Sequence, residues 1–341
     1  MRAMVLVFAF FLTFGAVLQV LHAPLGMWLS ELLIFLGLAA VLVARSGRDP
    51  VVYPGLSRKG LGPLLLVGFL LGTLNFFAMV APLQLLMHAV LPESWLETFD
   101  GSRIFEGLSE WELQVVLAAV TIAAPFCEEY FFRGVLQQGL QRSRLTPGVA
   151  VLIASVIFSA FHLDPVGFLG RVELGLLFGL LYLRTGSLWP AIGAHMANNA
   201  VSSAIFLAGR NAPLSAEAEP GPAAIALVAG IGGLFLLALL WAIRTVPGLL
   251  PARPLPPEAP ARPIPSAAST WGVWFASLLL GVGLLGAFVG MRPGGFRSRA
   301  KVPPTPVVEP PAPSGEVAPP AGEVAPPSGE VAPPAGETAP P

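Results

Sequence analysis

Apolar runs of helical length follow one another along most of this chain, separated by short clusters of Pro, Gly and charged residues. They cover roughly residues 3–22, 27–44, 62–90, 113–142, 147–163, 167–184, 187–207, 222–243 and 271–290. A run of ~20 apolar residues spans a bilayer as a helix, since only a helix or a closed barrel satisfies every backbone polar group in lipid. The charge content agrees: 11% of residues are charged and 55% are hydrophobic, against about 25% charged in a soluble domain. The expected fold is therefore all-α, a polytopic transmembrane helix bundle of about eight or nine spans. Turns around 143–147 and 185–187 are short, so the helices flanking each are expected to be antiparallel neighbours.

Both ends of the chain have their own character. Met1-Arg2 precedes an apolar run to about Val20, with no small-x-small cleavage signal after it, and is read as an uncleaved first helix. Residues 314–341 are four copies of a seven-residue unit, SGEVAPP, AGEVAPP, SGEVAPP and AGETAPP. Pro-Pro and Gly in every unit forbid a continuous helix, so a coiled coil is excluded and an extended, disordered spacer is expected. The expected organisation is N-terminal transmembrane helices over 1–110, a core over 111–207, C-terminal helices over 208–290 with a Pro-rich linker at 245–270, and a disordered tail over 291–341. Basic residues at 45–60 and at Arg142 and Arg144, with an acidic segment at 91–111, place the N-terminus in the cytoplasm. Arg292, Arg297, Arg299 and Lys301 conflict with an odd span count.

Charge and cysteine content exclude some functions. A net charge of −1 gives no electrostatic case for nucleic-acid binding. The lone cysteine, Cys127, excludes an internal disulfide, and no Cys cluster exists to hold zinc.

The functional signal is polar. Cys127-Glu128-Glu129-Tyr130-Phe131-Phe132-Arg133 lies deep in an apolar helix, where ionisable groups persist mainly when paired or functional. Glu129 and Arg133, four apart, share a helix face and can neutralise one another. Glu128 is rotated about 100° away and stays free for other work. Phe158 and His162 are four apart near the end of the next helix, and His195 and Asn199 are four apart after Trp189-Pro190. At ~1.5 Å of rise per residue, Glu128, His162, His195 and Asn199 lie about 21, 22, 12 and 18 Å from their nearest turns, which permits one polar cluster.

A carboxylate and an imidazole on facing helices can hold and deprotonate a water. A second imidazole and an amide can donate to a developing oxyanion. The set suits amide hydrolysis by activated water. Alternatively Glu128, His162 and His195 are three zinc ligands, with water in the fourth place. The blander readings are a structural Glu129–Arg133 pair and histidines that are satisfied core residues. His22 and His88, near helix ends and without evident polar partners, take that role. Glu31, Asn75, Gln84, Arg171 and Glu173 read as interhelical glue or cavity lining, and Gly175 with Gly179 as close helix packing.

Together these pieces resemble the CPBP family, the type II CAAX-prenyl-endopeptidase and bacteriocin-processing (Abi) membrane proteases. The family shows Glu-Glu-x-x-x-Arg, Phe-x-x-x-His and His-x-x-x-Asn, which stand here as Glu128-Glu129-Tyr130-Phe131-Phe132-Arg133, Phe158-Ser159-Ala160-Phe161-His162 and His195-Met196-Ala197-Asn198-Asn199. The similarity covers roughly 110–207. It implies an intramembrane endopeptidase in which Glu128 and His162 activate water, His195 and Asn199 stabilise the oxyanion, and Glu129, Arg133 and Phe158 support the site. It also implies a membrane-associated protein or peptide as substrate, the lipid bilayer as surroundings and a bacterial inner membrane as location. The rival reading is a non-catalytic immunity or scaffold protein of the same fold that binds a peptide or partner.

Overall fold

The computed structural model describes residues 2–56, 61–210, 222–246 and 250. The expected helix at 271–290, the Pro-rich linker at 245–270 apart from residues 245, 246 and 250, and the repeat tail lie outside the described residues. The described residues form helices and turns, with no strand among them. Helix α1 covers 2–21, α2 Ala23–Arg45, α3 Leu61–Val90, α4 Glu93–Thr98 and α5 Glu110–Gln141. Then come α6 Pro147–Phe161, α7 Phe168–Thr185, α8 Trp189–Arg210 and α9 Pro222–Thr245. Helices α2, α3 and α5 are long and apolar enough to cross a membrane. Shorter apolar helices are Val5–Leu21 within α1, α6, and Ala226–Ala242 within α9. The short α4 and a 3-10 turn at Gly101–Phe105 fill the acidic segment that the hydropathy pattern left as loop.

One residue, His22, joins α1 to α2. It is extended (φ −156°), and its Nδ1 accepts the Leu25 N–H at 3.4 Å, with Pro24 in the first turn. This is a helix N-cap. His22 therefore has a polar partner, contrary to the expectation that it has none.

Two long helices contain proline and widen just before it. In α3 the π-helical turn Phe76–Val80 precedes Pro82, and in α5 the π-helical turn Ala119–Ala123 precedes Pro125. Proline lacks an N–H, and its ring crowds the carbonyl four residues back. A wider turn relieves that crowding. A second wide stretch in α5, Tyr130–Gln137, follows directly on the two glutamates.

Helices α3 and α8 meet backbone to backbone. A Cβ on Gly68 would lie 2.0 Å from the Pro190 carbonyl oxygen, and one on Gly72 would lie 2.2 Å from that of Ala194. On the other side, a Cβ on Gly193 would lie 2.2 Å from the Leu65 oxygen. Small residues allow this approach where lipid supplies no hydrophobic drive. Because Ala194 precedes His195, the contact sets the position of that imidazole.

A phenylalanine cluster holds α2, α5 and α6 together. Phe35 packs against Phe131, Phe132 and Phe161 at centroid separations of 5.9, 6.0 and 6.2 Å, and Phe132 meets Phe158 edge-on at 5.1 Å. Such pairs contribute about 0.5–1.5 kcal/mol each beyond the area they bury.

The segment 46–56 is bolted across the ends of α5 and α8. Tyr130 Oη donates to the Pro50 carbonyl at 2.8 Å, Gln138 Nε2 to that of Tyr53 at 2.7 Å, and the Leu188 N–H to that of Gly55 at 3.2 Å. Gly55 has φ +87°, and a Cβ there would lie 2.5 Å from the Gly186 oxygen, so two requirements select glycine. Asp49 accepts the N–H groups of Val52 (2.9 Å) and Val51 (2.7 Å), which hold its carboxyl below the usual range.

Gly72→Val is expected to force α3 and α8 apart, at a cost of about 1–3 kcal/mol from overpacking. Thermal unfolding in detergent reads this as a lowered midpoint. Gly139→Ala, whose Cβ meets nothing within 4 Å, is expected to leave the midpoint unchanged or raise it by removing about 0.5–1 kcal/mol of helix penalty. Equal midpoints for both variants would contradict the close-contact account.

Candidate active site

The two adjacent glutamates address opposite nitrogens of one imidazole. Glu129 Oε1 lies 2.9 Å from His195 Nδ1, and Glu128 Oε2 lies 3.9 Å from His195 Nε2. Helix α5 supplies both carboxylates and α8 the ring. Helical rotation separates the two glutamates as expected, but they straddle the same side chain.

Glu129 is the anchored member. Its Oε1 also accepts from Arg133 Nη1 at 2.7 Å, one turn along, and both side chains are buried, at 0% and 1% exposure. Removing two charges from water costs several kcal/mol per ion, so such a pair persists only with close geometry and further hydrogen bonds. Arg133 has both. Its Nη2 donates to the Gly175 carbonyl at 3.2 Å, and its Cζ lies 4.5 and 5.1 Å from the ring centroids of Phe158 and Phe178. The flat guanidinium is thus held by aromatic faces as well as by hydrogen bonds.

Helix α7 makes this possible with Gly175 and Gly179. A Cβ on Gly175 would lie 2.7 Å from that of Ser155, and one on Gly179 would lie 2.8 Å from Val151 Cγ1. The expected close packing is present. It also carries the site: Arg133 donates to the Gly175 carbonyl, and Gln137, one turn further, donates to that of Gly179 at 2.9 Å. Two donors four residues apart on α5 meet two carbonyls four residues apart on α7.

The His195 ring is held flat by aromatics. Phe178 stacks on it with centroids 4.9 Å apart and planes at 20°, and Phe158 meets it edge-on at 5.7 Å. Since Nδ1 faces the arginine-paired carboxylate, Nδ1–H donates to Glu129, and Nε2 is left toward Glu128. Glu128 is the more open carboxylate, with 12% of its side chain exposed. The 3.9 Å gap exceeds a hydrogen bond and admits one small bridging group.

His162 stands at the C-terminus of α6, exposed, with Nδ1 3.0 Å from the Phe158 carbonyl oxygen and its ring edge-on to Phe158 at 5.1 Å. Phe158 therefore touches His162, His195 and Arg133 together. No ion pair joins His162 to Glu128 among the described residues; the imidazole within ion-pair distance of Glu128 is His195. Leu163 follows in the left-handed region at φ +51°. The turn is fastened by Ser159 Oγ donating to the Phe168 carbonyl at 2.8 Å and by Arg171 on the Asp164 carboxylate.

Asn199 lies one turn beyond His195. Its Nδ2 donates to the Val120 carbonyl at 2.8 Å, and its Oδ1 accepts from Asn198 at 3.0 Å. Of the residues read as glue, Asn75 donates to Glu173 at 2.9 Å, joining α3 to α7. Glu129 Oε2, Asn198 Oδ1 and Glu31 Oε2 are buried without a hydrogen-bond partner.

The described residues contain no group of three or more His, Cys, Asp or Glu side chains that could hold a metal ion. Glu128, His162 and His195 are not assembled as a zinc site.

Sequence reasoning did not identify Phe178, Gln137 or the Val120 carbonyl. Phe178 and Gln137 carried a usable signal, since one lies between the two glycines and the other continues the Glu129–Arg133 face. The Val120 carbonyl had only the proline five residues later.

Arg133→Met leaves Glu129 as a buried, uncompensated carboxylate and is expected to destabilise by about 3–5 kcal/mol. Adding Glu129→Gln to that variant is expected to recover part of the loss. Equilibrium unfolding of purified protein measures both, and a double variant no more stable than Arg133→Met would oppose the ion-pair account.

Residues 110–201 match the family model "Type II CAAX prenyl endopeptidase Rce1-like". A curated relative, the uncharacterized protein YyaK of Bacillus subtilis (strain 168), is 32% identical over 137 residues, which are 38% of this chain and 44% of the relative. The chain thus spans less than half the length of that relative. No solved structure matches the chain. The segment that carries Glu128, Glu129, Arg133, Phe158, His162, His195 and Asn199 lies within that match, in keeping with the CPBP resemblance of its motifs.

Proposed function

We propose that the protein is an intramembrane endopeptidase that hydrolyses a peptide bond of a membrane-associated protein or peptide with a glutamate-activated water. The observation that carries this is the pair of glutamates set on the two nitrogens of His195, one locked by Arg133 and one open.

Glu128 is the general base. Its carboxylate takes a proton from water as the water oxygen bonds to the scissile carbonyl carbon. His162, with its Nδ1–H directed at the Phe158 carbonyl, presents Nε2 as a second acceptor for that water. His195 presents Nε2 on the opposite side, and when protonated it donates to the developing oxyanion. Asn199 has a second amide hydrogen beyond the one given to Val120, and it joins His195 in that task. When the C–N bond breaks, the proton held by Glu128 passes to the leaving amine. Glu129, Arg133, Phe158 and Phe178 keep the His195 ring in place.

Wild-type protein is expected to cleave members of a panel of membrane-tethered peptides, and Glu128→Gln to lower the rate by about 10²–10⁴-fold while unfolding at the same temperature. His195→Gln is expected to lower kcat to a similar degree. Undiminished function of Glu128→Gln in cells would sink the protease reading and favour a peptide-binding role.

A further inference from the structure

The wide turn before Pro125 leaves a backbone acceptor that helix α5 cannot satisfy by itself. Ala124 donates its N–H five residues back, to the Ala119 carbonyl, as a π turn requires. The next carbonyl in that register is Val120, and its partner would be the N–H of residue 125. Residue 125 is proline and has none. Asn199 Nδ2, from α8, donates to this carbonyl at 2.8 Å. The amide is held in that orientation, since Asn198 Nδ2 donates to Asn199 Oδ1 at 3.0 Å.

The geometry has a direct bearing on the site. Pro125 is three residues before Glu128, and Asn199 is four residues after His195. The Val120–Asn199 bond therefore ties the helix of the glutamates to the helix of the imidazole, four residues from the Glu129–His195 contact along α8 and nine residues from it along α5. Arg210 on Glu110 joins the far ends of the same two helices, and together these links fix rotation as well as separation. The Val120–Asn199 bond is nearer to the Glu129–His195 contact than that end pair, and without it the 3.9 Å interval between Glu128 and His195 Nε2 would vary.

We propose that Pro125 is a positioning residue: by withholding its N–H it creates the acceptor at Val120 that recruits Asn199, and this bond sets the spacing of Glu128 and His195. Asn199 acts here as the replacement for a missing backbone donor. The proposal deepens the protease reading and rests on it for its catalytic consequence, though not for the bond itself.

A double-mutant cycle separates the two. In the native background Asn199→Ala strands a part-buried carbonyl and is expected to lower the folding equilibrium constant by roughly 5- to 150-fold. In a Pro125→Ala background, residue 125 donates to Val120, and Asn199→Ala is expected to cost at most about 3-fold. Folded protein from Pro125→Ala/Asn199→Ala, where Asn199→Ala alone yields none, is the same result. If neither alanine variant accumulates, Asn199→Ser in both backgrounds gives the cycle. An equal penalty for the Asn199 change in both backgrounds overturns the proposal. For any peptide the wild type cleaves, Pro125→Ala is expected to lower kcat with KM unchanged; unchanged kcat overturns the positioning role. If no peptide is cleaved, the unfolding cycle still decides whether the bond exists as described, and only the protease reading fails.

Discussion

The buried pairing of Glu129 with Arg133 is the interaction around which the core is arranged. An arginine with 1% exposure is tolerable only if its charge is matched and its guanidinium is supported; here Nη1 and Nη2 are hydrogen-bonded and Nε is not. The chain meets that demand with three elements. The anion comes from the same helix, a carbonyl from α7 where two glycines let the helices approach, and aromatic faces from α6 and α7. The anion and the rings each have a second use. The carboxylate orients His195, Phe158 touches both imidazoles, and Phe178 lies flat on His195. Neutralising one buried charge thus builds the frame that holds the other residues of the site.

Glu128 differs from its neighbour because it is left out of that frame. Adjacent helical positions point apart, so a doubled glutamate gives one carboxylate to structure and leaves the other with the open side of the imidazole. The doubling therefore amounts to a division of labour, with Glu129 defining which nitrogen of His195 is committed and Glu128 facing the one that is not.

Much of this was legible in the sequence. Hydropathy located helices α1 to α3 and α5 to α9 to within a few residues, because apolar length is the property that decides a helix in lipid. The Glu129–Arg133 pair followed from four-residue spacing within one helix. The partner of Glu128 was not legible. Which imidazole it faces depends on how α5 and α8 rotate against each other, and wide turns at Ala119–Ala123 and Tyr130–Gln137 shift that rotation without any apolar signature. The backbone contacts of Gly68, Gly72 and Gly193 were equally hidden, since glycine is common in apolar helices for several reasons. Helix α4 was missed because its acidic sequence breaks the hydropathy pattern on which the other helices were found.

The seam between α3 and α8 has a mechanical consequence. Its contacts are glycine to carbonyl, with no side chain between the two backbones at Gly68, Gly72 and Gly193. A layer of leucines would yield under load by changing rotamers, and each change would carry entropy. Glycine against backbone has no rotamers to change and almost no free volume to surrender. The His195 side of the site is therefore mounted on a stiff, nearly incompressible joint. Any compliance at the site must come from elsewhere, and His162, at the exposed end of α6 beside a left-handed Leu163, lies outside that joint.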